Sequence, residues 1–134
     1  MLMPKKIKFR RQFNPKIIGV ASRGTKLAFG HYGIKSLDSA WITARQIEAG
    51  RRAITRHIKR GGQLWIRIFP DRPITKHAAE APMGSGKGAL DHFVANVEAG
   101  RILFELDGVT PAVAQAALKL ASAKMPVRTK FISK

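Results

Sequence analysis

The chain contains no cysteine, so it can build neither a disulfide framework nor a thiolate zinc site. That absence suits a reducing compartment, either cytosol or an organelle matrix. No apolar run approaches the roughly 18 to 20 residues that a helix needs to cross a bilayer, which excludes a membrane-spanning helix. The positive start from Met1 to Arg11 is followed only by the short apolar stretch Ile17 to Ala21. This is too short for the core of a signal peptide and reads as a mature terminus. Acidic residues are scarce as well: 8 Asp and Glu stand against 25 Lys and Arg, a formal charge of +17 on 134 residues. A chain of this length, 45% hydrophobic, folds as one domain that buries roughly two thirds of its unfolded surface. Its charge is therefore held at close range and calls for an anionic partner.

The signatures of catalysis are missing too. Met83-Gly-Ser-Gly-Lys-Gly88 has the clustered glycines and the lysine of a phosphate cradle. A Walker A loop, however, needs a glycine where Ala81 stands and a Ser or Thr where Gly88 stands. No Gly-x-Ser-x-Gly elbow occurs. Asp71, Glu80, Asp91 and Glu105 form no catalytic pair visible in the sequence. His31, His57, His77 and His92 are too dispersed for a metal-binding helix or finger. The sequence thus points to no enzyme, no cofactor, no metal and no small-molecule substrate.

What is present is segregated charge. Residues 1–76 carry 18 basic and 3 acidic side chains, the remainder 7 and 5. The first 24 residues hold seven cations (Lys5, Lys6, Lys8, Arg10, Arg11, Lys16, Arg23), no acid, and two prolines that oppose helix. Residues 1–24 are expected to form an extended basic arm that orders on a partner. Phe9 and Phe13 among its cations offer stacking surfaces to RNA.

Residues 25–134 read as one α+β domain. Thr25 to Leu37 suggests two short strands bent around Gly30 and Gly33. Thr43-Ala-Arg-Gln46 has the form of a capping box and predicts a helix to about Arg60. Ile47, Ile54 and Ile58 share one face of that helix, with Arg45, Arg52, Arg56 and Lys59 opposite. Glu48 is the only acid among these residues, which leaves little scope for pairing within the helix, so the basic face is free to meet phosphate. Gly61-Gly62 ends the helix, and Gln63 to Phe69 alternates as a strand does, with Leu64, Ile66 and Ile68 on one side and Trp65, Arg67 and Phe69 on the other. Trp41 and Trp65 read as core or half-buried residues. Pro70 and Pro73 open a long loop, 70–90. His92–Val97 and Arg101–Leu106 are expected to pair as a hairpin around Glu98-Ala99-Gly100. Thr110 and Pro111 start a second helix that runs to Lys124 and lies largely inside. Pro126 stops it, and Val127 to Ile132 forms a last strand carrying Arg128 and Lys130. The economical arrangement is a largely antiparallel sheet with two helices packed on one side.

Four stretches resemble the bacterial and organellar large-subunit ribosomal protein family called L-sixteen. They are Pro4 to Arg11, Trp41 to Arg52, Lys59 to Pro70, and Met83 to Gly88; Lys124 to Lys130 is similar as well. The likeness spans nearly the whole chain. It implies an α+β protein set in large-subunit ribosomal RNA near the peptidyl transferase region, among neighbouring ribosomal proteins, with a role in scaffolding and late assembly. Contact with A-site transfer RNA is implied, with P-site transfer RNA as a second candidate. Carried over by position, Lys5, Lys6, Lys8, Arg10 and Arg11 would thread into ribosomal RNA, and Arg51, Arg52 and Arg56 would meet it from the helix. Arg45, Lys59 and Arg60 extend that face, with Arg67, Arg128 and Lys130 as further candidate contacts. Met83, Gly84, Ser85, Gly86, Lys87 and Gly88 would form the loop near the functional centre, with Lys87 at its tip.

One position departs from the family pattern. Pro82 stands where an arginine usually precedes Met-Gly, so the loop lacks a guanidinium and the hydroxylation that this arginine receives in some relatives. Pro82 biases Ala81 towards extended backbone, which would stiffen the loop's entrance. Two other function classes fit the composition alone: a free-standing nucleic-acid architectural protein and an RNA-modifying enzyme.

Overall fold

The computed structural model describes residues 1–10, 12, 19–59, 61–76 and 88–134. Seven strands and two helices follow in order among them: β1 (Tyr32–Ser36), β2 (Ala40–Thr43), α1 (Ala44–Ile58), β3 (Gln63–Ile66), β4 (Arg72–Lys76), β5 (Ala89–Val97), β6 (Ile102–Asp107), α2 (Pro111–Ser122) and β7 (Thr129–Ser133). The class is α+β, and every pairing between these strands is antiparallel.

The strands divide between two sheets, one ordered β3-β6-β1-β7 and the other β2-β5-β4. This corrects the expectation of a single sheet, and it also removes the expected hairpin. β5 and β6 are consecutive in sequence yet lie in different sheets, because the residues between them carry the chain across rather than back. A one-residue slip reverses every side chain, so register locates the core. Ile34 opposes both Phe104 and Phe131, and Leu64 and Ile66 oppose Leu106 and Phe104. These residues share the inner face of the four-stranded sheet and join the core with Ile42, Ile47, Ile54, Ala114, Ala117 and Leu118.

Local signals place the helices. Thr43 Oγ1 accepts from the Gln46 amide at 3.1 Å, and Gln46 Oε1 accepts from the Thr43 amide at 2.9 Å, so two orphan donors are satisfied at the start of α1. The helix ends at Ile58, slightly short of expectation. Ile47 and Ile54 are buried and Ile58 packs beside them, as the periodicity required. Gly50 lets α1 approach the core: a Cβ there would lie 3.0 Å from both Met125 Cε and Phe104 Cζ. α2 begins with Thr110 Oγ1 accepting from the Val113 amide and proline in its first turn. It buries Ala114, Ala117, Leu118 and Ala121 against α1 and the four-stranded sheet, while Ala112, Ala116 and Leu120 face out. The expectation of a largely interior helix thus holds for one face only, since an alanine-rich sequence does not reveal which face is covered.

Three boundaries also differ. Residues 25–37 contain one strand, β1, because the stretch before it crosses the outer face of the sheet and hydrogen-bonds to a side chain there. Gln63–Ile66 is the paired part of the alternating segment that reaches Phe69. The loop expected over 70–90 contains β4, with Pro73 opposite Phe93. β4 is an edge strand, the place in a sheet where proline is tolerated.

Candidate nucleic-acid interface

The amphipathic pattern of α1 turns its cations outward. Arg45, Arg52, Arg56 and Lys59 are all exposed, on the side away from Ile47 and Ile54. Glu48 pairs more fully than the sequence suggested, because it holds two arginines. Arg51 donates to it from Nε at 3.1 Å, with Nη2 on its other oxygen, and Arg52 Nε donates at 3.1 Å. The Arg51 hydrogen bond, above all, holds the Glu48 carboxyl down to about 2, so both partners stay ionised at neutral pH. Arg56 and Lys59 remain clear of this cluster, and Arg51 is half-buried within it.

The arm cations Lys5, Lys6, Lys8 and Arg10 are exposed, and the chain beneath them is anchored. Leu2 packs against the core, and Met1, Leu2 and Met3 share a cleft of about 590 Å³ with Arg45 and Phe93. Lys8, Phe9 and Arg10 line a second hollow with Ala89 and Leu90, at the start of β5. Arg72 donates to Gln12 Oε1 at 3.1 Å. The fold therefore sets the start of the arm, Met1 to Met3, beside the first turn of α1, and its cations Lys8 and Arg10 beside the strand that follows the glycine-rich stretch. Most of that stretch, Met83 to Lys87, lies outside the described residues, as do Arg11, Phe13, Arg60, His77 and Pro82.

The remaining candidate contacts differ in availability. Arg128 is tied to Asp38 by Nη2 at 2.7 Å and Nε at 3.1 Å. That side-chain contact lowers the Asp38 carboxyl to about 2. Lys130 is exposed. Arg67 is mostly covered and donates through Nη1 to Glu105. His31 and His92 each sit against a neighbouring carboxylate, Asp107 at 2.9 Å and Asp91 at 2.6 Å. Among the described residues no group of three His, Asp or Glu side chains could hold a metal, and no helix is long and apolar enough to cross a membrane.

Glu105 is the feature that sequence reasoning passed over. It has no exposed surface, and its Oε1 accepts the amides of Ala28 at 3.0 Å, Phe29 at 2.8 Å and Gly30 at 2.9 Å. Burial pushes its carboxyl up. The Gly30 amide, Arg67 and the Phe29 amide together outweigh that and leave it below the ordinary carboxylate range. An acid in the middle of the apolar run Ile102 to Leu106 was the available signal. Its partners lie 38 to 77 residues away, so no local pattern names them.

Comparison with known proteins adds a family likeness. Residues 4–132 match the family model described as ribosomal protein L16p/L10e. The large ribosomal subunit protein uL16c of Cuscuta obtusiflora is 56% identical over 132 residues, spanning 98% of this chain and 96% of its own. The protein of the same name from Physcomitrium patens is 56% identical across 99% of this chain and 96% of its own. That from Gracilaria tenuistipitata is 56% identical across 100% and 99%.

Proposed function

The chain belongs to the ribosomal protein L16p/L10e family, and from that premise we propose that its arm and the exposed face of α1 hold large-subunit ribosomal RNA near the peptidyl transferase region. As a family member it is a structural constituent of the large ribosomal subunit, partnered by ribosomal RNA and other ribosomal proteins, and not an enzyme. The ribosome is its location.

The observation that carries the RNA reading is the outward row of Arg45, Arg52, Arg56 and Lys59, together with the exposed arm cations Lys5, Lys6, Lys8 and Arg10. Phosphate contacts position a protein on RNA through such fixed cations, and the capping box and isoleucine face of α1 hold these in place. Residues 1–24 thread into ribosomal RNA as the arm, and residues 25–134 form the folded body. Met83 to Gly88 reach A-site transfer RNA, with P-site transfer RNA as a second candidate, and Lys87 supplies the local charge in the absence of an arginine at position 82. Placement there supports late subunit assembly.

Sedimentation of a lysate at rising salt tests this reading. The protein is expected to remain with the large subunit well above the salt that strips loose nucleic-acid binders. Recovery of the native protein only in the unbound fraction refutes it and favours a free-standing architectural protein.

A further inference from the structure

The outer face of the four-stranded sheet is built around Glu105. Register sets Trp65, Glu105 and Gly33 abreast across β3, β6 and β1, with Ile132 next on β7. Gly33 has no side chain, and residues 26–30 cross the sheet at that point. The three amides held by Glu105 fix the crossing. Gly30 is required beneath it, since a Cβ would lie 2.7 Å from the Leu106 carbonyl oxygen. The consequence is the placement of Phe29. Its ring stacks on Trp65 with centroids 5.9 Å apart and planes 18° apart, and the Arg67 guanidinium carbon lies 5.3 Å from its centroid. Trp65 and Arg67 project from the same side of their segment, toward the crossing that carries the ring. Phe29 is nevertheless 58% exposed.

An aromatic ring held by its own backbone, backed by an indole and a guanidinium, and left open to solvent is a stacking surface. Lys26 is exposed nearby, and Lys130 and Lys134 are exposed on the same face at its opposite edge, on β7 and just after it. The acids of that face are occupied, Glu105 by Arg67 and Asp107 by His31. We infer that Phe29 is a stacking platform for an unpaired base of ribosomal RNA, with Lys26 beside it for an adjoining phosphate. This rests on the ribosomal RNA reading and adds a second RNA-facing surface, separate from the arm and α1.

The test is rebinding of the full-length chain to large-subunit particles from which this protein has been washed with salt. Phe29→Ala is expected to weaken rebinding about 10-fold, within the range for loss of one base–aromatic stack. The slope of log affinity against log salt should stay unchanged, because stacking releases no counterions. Phe29→Tyr should bind within about twofold of wild type, as any aromatic face can stack. Phe29→Leu, which keeps an apolar cover over Trp65, should be as weak as Phe29→Ala and carries the test if the alanine variant fails to fold. Wild-type rebinding by the leucine variant overturns the stacking role and leaves the ribosomal RNA reading intact. Failure of the wild-type chain itself to rebind overturns that reading, and the platform with it.

Discussion

Replacing Glu105 by glutamine keeps the shape of the side chain and removes its charge. The amide oxygen can still accept the backbone N–H groups of residues 28–30, but the new NH₂ then meets the Arg67 guanidinium, donor against donor. Breaking a buried ion pair by neutralising one partner costs about 3–5 kcal/mol. Arg67 keeps 18% of its side chain exposed and can turn partly to water, which places the cost near the lower end, about 3 kcal/mol. With an unfolding entropy of about 2.1 cal/mol/K per residue, a chain of 134 residues loses about 10 °C in Tm. Circular dichroism at 222 nm, with wild type and Glu105→Gln melted side by side at pH 7, measures this directly. The pH dependence sharpens the test. The folded carboxyl titrates below its ordinary 4.5, so the unfolded chain takes up the proton first as pH falls. The stability Glu105 supplies is complete above pH 4.5 and is lost as pH drops through the lower folded value. The gap between wild type and variant should therefore narrow below pH 4.5. A gap under about 0.5 kcal/mol at pH 7, the scale of an ordinary surface substitution, or one that stays constant down to strong acid, refutes the argument.

Other perturbations probe the same logic elsewhere. Gly30→Ala should lower stability by about 1–3 kcal/mol in urea titration, because its Cβ meets the Leu106 carbonyl oxygen and both backbones must shift. Thr43→Ala removes the hydroxyl that caps α1 and should cost about 1 kcal/mol in the same assay. Replacing Arg52 and Arg56 together by glutamine should lower the slope of log binding constant against log salt by about 1.5 to 2, with Arg56 contributing more because Arg52 already bonds Glu48. Lys87→Ala should leave that slope nearly unchanged and slow transfer-RNA-dependent steps of translation. Normal elongation speed and fidelity in Lys87→Ala ribosomes would show that the loop has no such role.

Much of the fold could be read from residues close together in the chain. The Thr43–Gln46 box and the Thr110-Pro111 start rest on groups within one helical turn, and the isoleucine face of α1 follows from 3.6-residue spacing. Leu64, Ile66 and Ile68 face one way because a strand alternates. Charge segregation and the basic face of α1 depend only on composition and periodicity, and the family likeness rests on contiguous motifs. The expectations that failed all concerned which distant segments meet. β5 and β6 resemble a hairpin locally, but their pairing energies lie with β2, β4, β1 and β3. Pro73 argued against a strand because nothing nearby in the sequence marks an edge position.

The amino-acid sequence by itself determined the helices and their caps, the outward cations of α1 and the need for an anionic partner, since each depends on neighbours within a few residues or on net charge. Only the tertiary structure decided the division into two sheets, the meeting of the arm with the start of β5, and the burial of Glu105 under residues 28–30. Those features depend on strand register and on hydrogen bonds between distant residues, such as that of Glu105 with the Ala28 amide 77 residues away, which are set when the sheets close around the core.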